Sequence, residues 1–129
     1  MPDVMAALRR ARTMEQEIGI QIEHIERLHR IAARAGNSSS FAAETAEKLS
    51  RLEQQLNKTI DEMCDAKREA LEYISYLNGE ERAVIEGYYI LAKTWQKLSN
   101  ELYMSERRMF MLRKSGLAKL VERYGEKAE

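Results

Sequence analysis

The chain has 129 residues, with 21 basic and 21 acidic side chains, a single Pro and a single Cys. Apolar types make up 44% and charged types 33%, a balance that excludes a disordered chain, and one Cys cannot make a disulfide scaffold. Zero net charge argues against a strongly basic architectural protein, but it leaves nucleic-acid binding open because distribution matters more than the sum.

Residues 3–35 read as one long helix. Met14, Ile18, Ile22, Ile25, Leu28 and Ala32 recur at steps of three and four with charged residues between them, and Asp3 is placed to cap the start. Gly36-Asn37-Ser38-Ser39-Ser40 breaks the pattern, because glycine ends helices and the Ser/Asn run competes for backbone hydrogen bonds; Ser39 or Ser40 is the expected next cap. A second long helix follows over 41–77, with a near-heptad stripe of Leu49, Leu52, Leu56, Ile60, Met63, Ala66 or Ala70, Ile74 and Leu77. At 1.5 Å per residue it would be roughly 55 Å long, and two such helices alone bury little. An antiparallel hairpin with a partner subunit, a homodimer, is therefore expected.

Asn78-Gly79 marks a helix end or bend, since the alternation that a β-hairpin needs is missing. Three shorter helices are expected over 80–91, 94–102 and 105–122, the last two capped by Thr94 and Ser105. Leu98, Leu102, Met104, Met109 and Leu112 are spaced to share one small core, with Ala83, Val84, Tyr88 and Leu91 supplying the third helix and Trp95 packing at its interface. Ser99 is a small residue where two helices cross. The charged tail Glu126–Glu129 is expected to fray. The fold class is thus all-α: a long coiled-coil-like hairpin over 1–78 and a helix-turn-helix over 79–124.

Around the last helical wheel, Met109, Leu112, Gly116 and Leu120 form the core side. Arg107, Met111, Lys114 and Ala118 lie opposite, with Arg108 and Phe110 on the flanks. Residues 97–123 also carry a local excess of basic over acidic residues. These features point to double-stranded DNA: Arg107 as a base contact, and Thr94, Lys97, Arg108 and Lys114 as phosphate contacts, by charge or at a helix N-terminus.

Leu77–Leu120 resembles region four of sigma factors, through Glu81-Arg82-x-Val84-Ile85, the pair Tyr88-Tyr89, Thr94-Trp95-x-x-Leu98, Ser105-x-x-x-Met109 and Leu117-x-x-Leu120. The whole chain resembles small phage-encoded transcriptional activators of the ArpU and RinA type. That resemblance implies regulation of phage or prophage genes, by promoter recognition, by contact with RNA polymerase, or by both. Its recognition helix would begin after Ser105 and point Glu106, Arg107, Phe110 and Met111 at DNA. Phe110 and Met111 stand where the sigma pattern carries polar or basic side chains; they suit thymine methyls or, alternatively, a protein partner. Tyr103 occupies a turn position that favours residues tolerant of positive φ, and Gly116 interrupts the last helix where alanine is usual, which implies a close crossing.

No catalytic, cofactor or metal site is expected. His24 and His29 are five residues apart and face different sides of their helix, unlike a zinc-binding pair. His29 continues the Ile22 and Ile25 seam as a buried or interfacial polar residue. Cys64 has no second sulfur ligand and no neighbouring His; it fits a reducing, cytoplasmic compartment. No stretch approaches 18 uncharged apolar residues, so no membrane span is expected, and Arg9, Arg10 and Arg12 interrupt the apolar run that a secretion signal would need. Rival readings are a protein-interaction module docking through Phe110 and Met111, and a DNA-packaging protein similar to a small terminase subunit, which would form a ring.

Overall fold

The computed structural model describes residues 3–35 and 39–125. The break at Gly36–Ser38 and the tail after Gly125 lie outside the described residues, as do the side chains of Ser39 and Ser40. The fold is all-α, with no strand among the described residues: α1 (Val4–Ala35), α2 (Ser39–Ile74), α3 (Gly79–Ile85), a π-helical turn (Glu86–Ile90), α4 (Trp95–Leu102) and α5 (Glu106–Tyr124). No helix among the described residues is long and apolar enough to cross a membrane.

Asp3 opens α1, its Oδ1 accepting the Ala6 N–H at 3.0 Å. Helices α1 and α2 run in opposite directions, since Glu15 meets Lys67 at 3.1 Å, Gln21 donates to the Thr59 hydroxyl at 3.2 Å, and His29 lies 3.9 Å from Glu53. Ile18, Ile25, Leu49 and Ala66 are buried in this region. Two residues assigned to the α1 seam lie elsewhere. Ile22 is 41% exposed, and the His29 side chain is 60% exposed, on a flank of the helix pair rather than between the helices.

Helix α2 stops at Ile74, a few residues early, and the chain turns through Ser75 and Tyr76. Gly79 then takes φ of +62° at the start of α3, a conformation that costs glycine nothing. The helix expected over 80–91 divides in two. Its second half widens into the π turn, closed by the Leu91 N–H donating to the Glu86 carbonyl at 3.2 Å. Helix α3 buries Val84 and Ile85, and the wider turn buries Gly87, Tyr89 and Ile90 and leaves Leu91 half exposed rather than in the core.

The core has two parts. In the larger, Val4, Leu8 and Ala11 of α1 and Ala70 and Ile74 of α2 pack with Leu77, Ile85, Tyr89, Ile90 and Leu120. The base of the long helices and the C-terminal helices therefore share one interior. In the smaller, Val84, Leu98 and Met109 are sealed by Tyr88, Trp95, Leu102, Met104 and Leu112. Arg12 ties α1 to the π turn: its Nη1 donates to the carbonyls of Tyr88 at 2.6 Å and Lys93 at 3.1 Å, and its guanidinium lies 3.8 Å from the centre of the Tyr88 ring.

Candidate nucleic-acid interface

Each of the last two helices begins with a side-chain cap. The Thr94 hydroxyl accepts the Lys97 N–H at 3.2 Å, and the Ser105 hydroxyl accepts the Arg108 N–H at 3.1 Å. Between them Tyr103 adopts the left-handed conformation, with φ of +54°, and its side chain is 95% exposed, so the turn keeps its ordinary geometry without glycine. Ser99 closes this connection twice: its hydroxyl donates to the Met104 carbonyl, and its own carbonyl accepts the Met104 N–H at 3.2 Å. It is thus a hydrogen-bonding residue as well as a small one.

Helix α5 is buried along Met109, Gly116 and Leu120. A Cβ at Gly116 would stand 2.5 Å from Ile85 Cδ1, so the buried Ile85 side chain would have to shift. On the far side Glu106, Arg107, Met111 and Lys114 are exposed, Met111 by 64%. A shallow groove of about 360 Å³ runs along this region, lined by Ser105, Arg107, Arg108, Met111, Leu112 and Ser115. Neither α1 nor α2 covers it. Phe110 is 48% exposed and leans on Trp95 at 5.0 Å, while Trp95 stacks on Tyr88 at 4.2 Å with the rings 12° apart.

Ion pairs reduce the basic excess of this region. Arg108 pairs with Glu80, Lys119 with Glu81 at 2.7 Å, and Lys93 with Glu101 at 2.6 Å. The hydrogen bond from Lys119, supported by one from Ser115, holds the Glu81 carboxyl below its ordinary range, and the bond from Lys93 does the same to Glu101. Arg123 lies over Tyr76 and Tyr124, at 4.5 and 5.5 Å. Among the described residues, Lys97, Arg107 and Lys114 are exposed cations of this region with no carboxylate within ion-pair distance.

The candidate residues fall into three groups. Thr94 and Ser105 shape the helix starts; Glu106, Arg107, Met111 and Lys114 share the open side of α5; and Arg108 and Phe110 occupy opposite flanks, engaged with Glu80 and Trp95. Lys97 stands apart, in the first turn of α4. Sequence reasoning passed over Arg113, whose Nε and Nη2 donate to the Tyr89 hydroxyl at 3.3 and 3.1 Å. The adjacent pair Tyr88-Tyr89 was the available signal. No group of three or more His, Cys, Asp or Glu is arranged to hold a metal among the described residues, and Cys64 is exposed. Comparison with protein-family models, with curated proteins and with solved structures finds no match.

Proposed function

We propose that the protein binds double-stranded DNA, using α4 and α5 as a helix-turn-helix, and that it regulates transcription of phage or prophage genes. The observation that carries this reading is the two-sidedness of α5. One side is locked into the core by Met109, Gly116 and Leu120, while the other offers Arg107, Met111 and Lys114 to solvent from a start fixed by Ser105. An α-helix presented in this way fits the major groove, and a guanidinium in its first turn can reach a guanine edge. Lys97 and the capped start of α4 suit a neighbouring phosphate. The long helices serve as a hairpin for homodimerisation, which would set the spacing of two target half-sites. RNA polymerase is the expected protein partner.

Fluorescence anisotropy with duplexes selected from a random pool tests this reading. Arg107→Ala should relax the preference at one base position by about 1–3 kcal/mol. Lys97→Ala or Lys114→Ala should weaken all sequences alike and lower the salt slope by about one. A protein that retains no duplex at low salt, or an Arg107→Ala variant with unchanged base preference, overturns the assignment.

Exposure of Phe110 and Met111, together with the pairing of Arg108 and Lys119 to carboxylates, favours one other reading. In it the same side of α5 docks on a protein, such as the polymerase, through apolar contact. Such binding would keep its strength as salt rises, whereas DNA binding would fall steeply.

A further inference from the structure

A second concentration of positive charge lies away from the open side of α5. Between α1 and α5 is a pocket of about 250 Å³, into which Arg9, Arg12 and Arg113 converge beside Thr13, Gln16 and Tyr88. No carboxylate lines it, and none of the three arginines has an ion-pair partner among the described residues. Three like charges around one cavity repel each other unless an anion offsets them. Two of the arginines are also held in place. Arg12 is pinned to two carbonyls through Nη1 alone and stacks on Tyr88, which leaves its Nε and Nη2 donors unused. Arg113 grips the Tyr89 hydroxyl through Nε and Nη2, which leaves its Nη1 unused. Planar guanidiniums fixed by aromatic faces, with donors to spare, are suited to the oxygens of a phosphate.

The geometry points to a phosphate-binding pocket between α1 and α5, in which Arg9, Arg12 and Arg113 hold one phosphate group. Thr13 and Gln16 add neutral donors on the α1 side. The group belongs either to a DNA backbone or to a small phosphorylated molecule. The first source rests on the function proposed above. It is sterically natural because Arg113 lies 5.4 Å from the Trp95 ring, which in turn meets Phe110 on the flank of α5.

Two exposed positions test the pocket without disturbing the Arg12 anchor: Arg9→Ala removes a cation, and Gln16→Glu adds a repelling carboxylate. Trp95, the single tryptophan, reports occupancy through its fluorescence because Arg113 faces it. With inorganic pyrophosphate as probe, the wild-type signal should saturate, and both variants should bind at least tenfold more weakly. With duplex DNA, both variants should lose about one unit of salt slope while keeping the base preference, the reverse of Arg107→Ala. A pyrophosphate response with unchanged DNA binding supports the pocket and identifies a small phosphorylated molecule as its ligand. A pyrophosphate response in a protein that binds no DNA supports the pocket and removes the DNA reading. No pyrophosphate saturation, together with DNA salt slopes unaltered in both variants, overturns the proposal.

Discussion

Replacing Gly116 with alanine sets helix propensity directly against packing. In a helix interior the change by itself stabilises by about 1 kcal/mol. Here the new Cβ would stand 2.5 Å from Ile85 Cδ1, and Ile85 is wholly buried among Leu77, Leu120 and Tyr89. The methyl must move by about 1 Å in an interior with no slack, and overpacking of this kind costs roughly 1–3 kcal/mol. Packing wins, and Gly116→Ala should destabilise the protein by a net of about 1 kcal/mol. Ile85→Val removes the offending methyl and leaves Glu81 Cβ and Leu77 Cδ1 as the next neighbours, both at an ordinary 3.5 Å. Alone, Ile85→Val should cost about 0.5–1.5 kcal/mol; in the Gly116→Ala background it should cost nothing or restore stability. Urea unfolding followed by circular dichroism would measure a coupling of about 1–2 kcal/mol between the two positions, with the m-value unchanged. A Gly116→Ala variant more stable by the full propensity gain, or strictly additive effects, would refute the close crossing of α5 on α3.

Thr94→Ala and Ser105→Ala should each lower stability by about 1 kcal/mol, and the corresponding glycine substitutions by only a few tenths, as urea unfolding would show. Tyr103→Gly should raise it by about 0.5–1 kcal/mol, seen as a higher melting temperature, because the left-handed conformation strains an L-residue and the exposed ring makes no packing contribution to lose. Glu81 has its carboxyl pKa lowered in the folded state, so its contribution is present above the ordinary value of 4.5 and is lost as pH falls through the lower folded value. Glu81→Gln should therefore cost on the order of 1 kcal/mol at pH 7, a deficit that closes on acidification below 4.5 in pH-dependent urea unfolding. Residues 79–125 alone should show no cooperative thermal transition by circular dichroism, since Val4, Leu8, Ala11, Ala70 and Ile74 complete the core around Tyr89 and Leu120.

The features that local chemistry controls were readable in the sequence. Asp3, Thr94 and Ser105 announce helix starts because their short oxygen-bearing side chains reach the orphan N–H groups of a first turn. The core side of α5 follows from helical spacing alone, and Trp95, expected to pack at the third-helix interface, does so by stacking on Tyr88. What escaped depends on contacts distant in sequence. The π turn cannot be anticipated from 80–91 by itself; Gly87 is bare because a Cβ there would meet Leu98 Cδ2 at 2.4 Å, a residue eleven positions on. Nothing beside Arg12 in the sequence marks its role, because its partners, the carbonyls of Tyr88 and Lys93, are brought to it only by the fold. The open sides of α5 and the long helices are likewise legible as spacing, but which cations remain unpaired is decided by Glu80, Glu81 and Glu101 arriving from other segments.

The Arg12 anchor changes what the long helices can do for the rest of the molecule. If residues 79–125 hung from a pliable linker, the orientation of α5 would be independent of α1 and α2. Instead Arg12, Tyr88, Trp95 and Phe110 form one continuous run of contacts from the first helix to the flank of α5, and Leu120 closes the other end of α5 onto Val4 and Leu8. Helix α5 is thereby held at both ends by the base of the long pair. At 1.5 Å per residue, the 36 residues of α2 make an arm of roughly 54 Å, so in the proposed homodimer a small rotation of one arm against the other would be carried to α5 as a large displacement. Association of the arms, if the proposed homodimer forms through them, would in that case select the distance between the two α5 surfaces proposed to bind DNA.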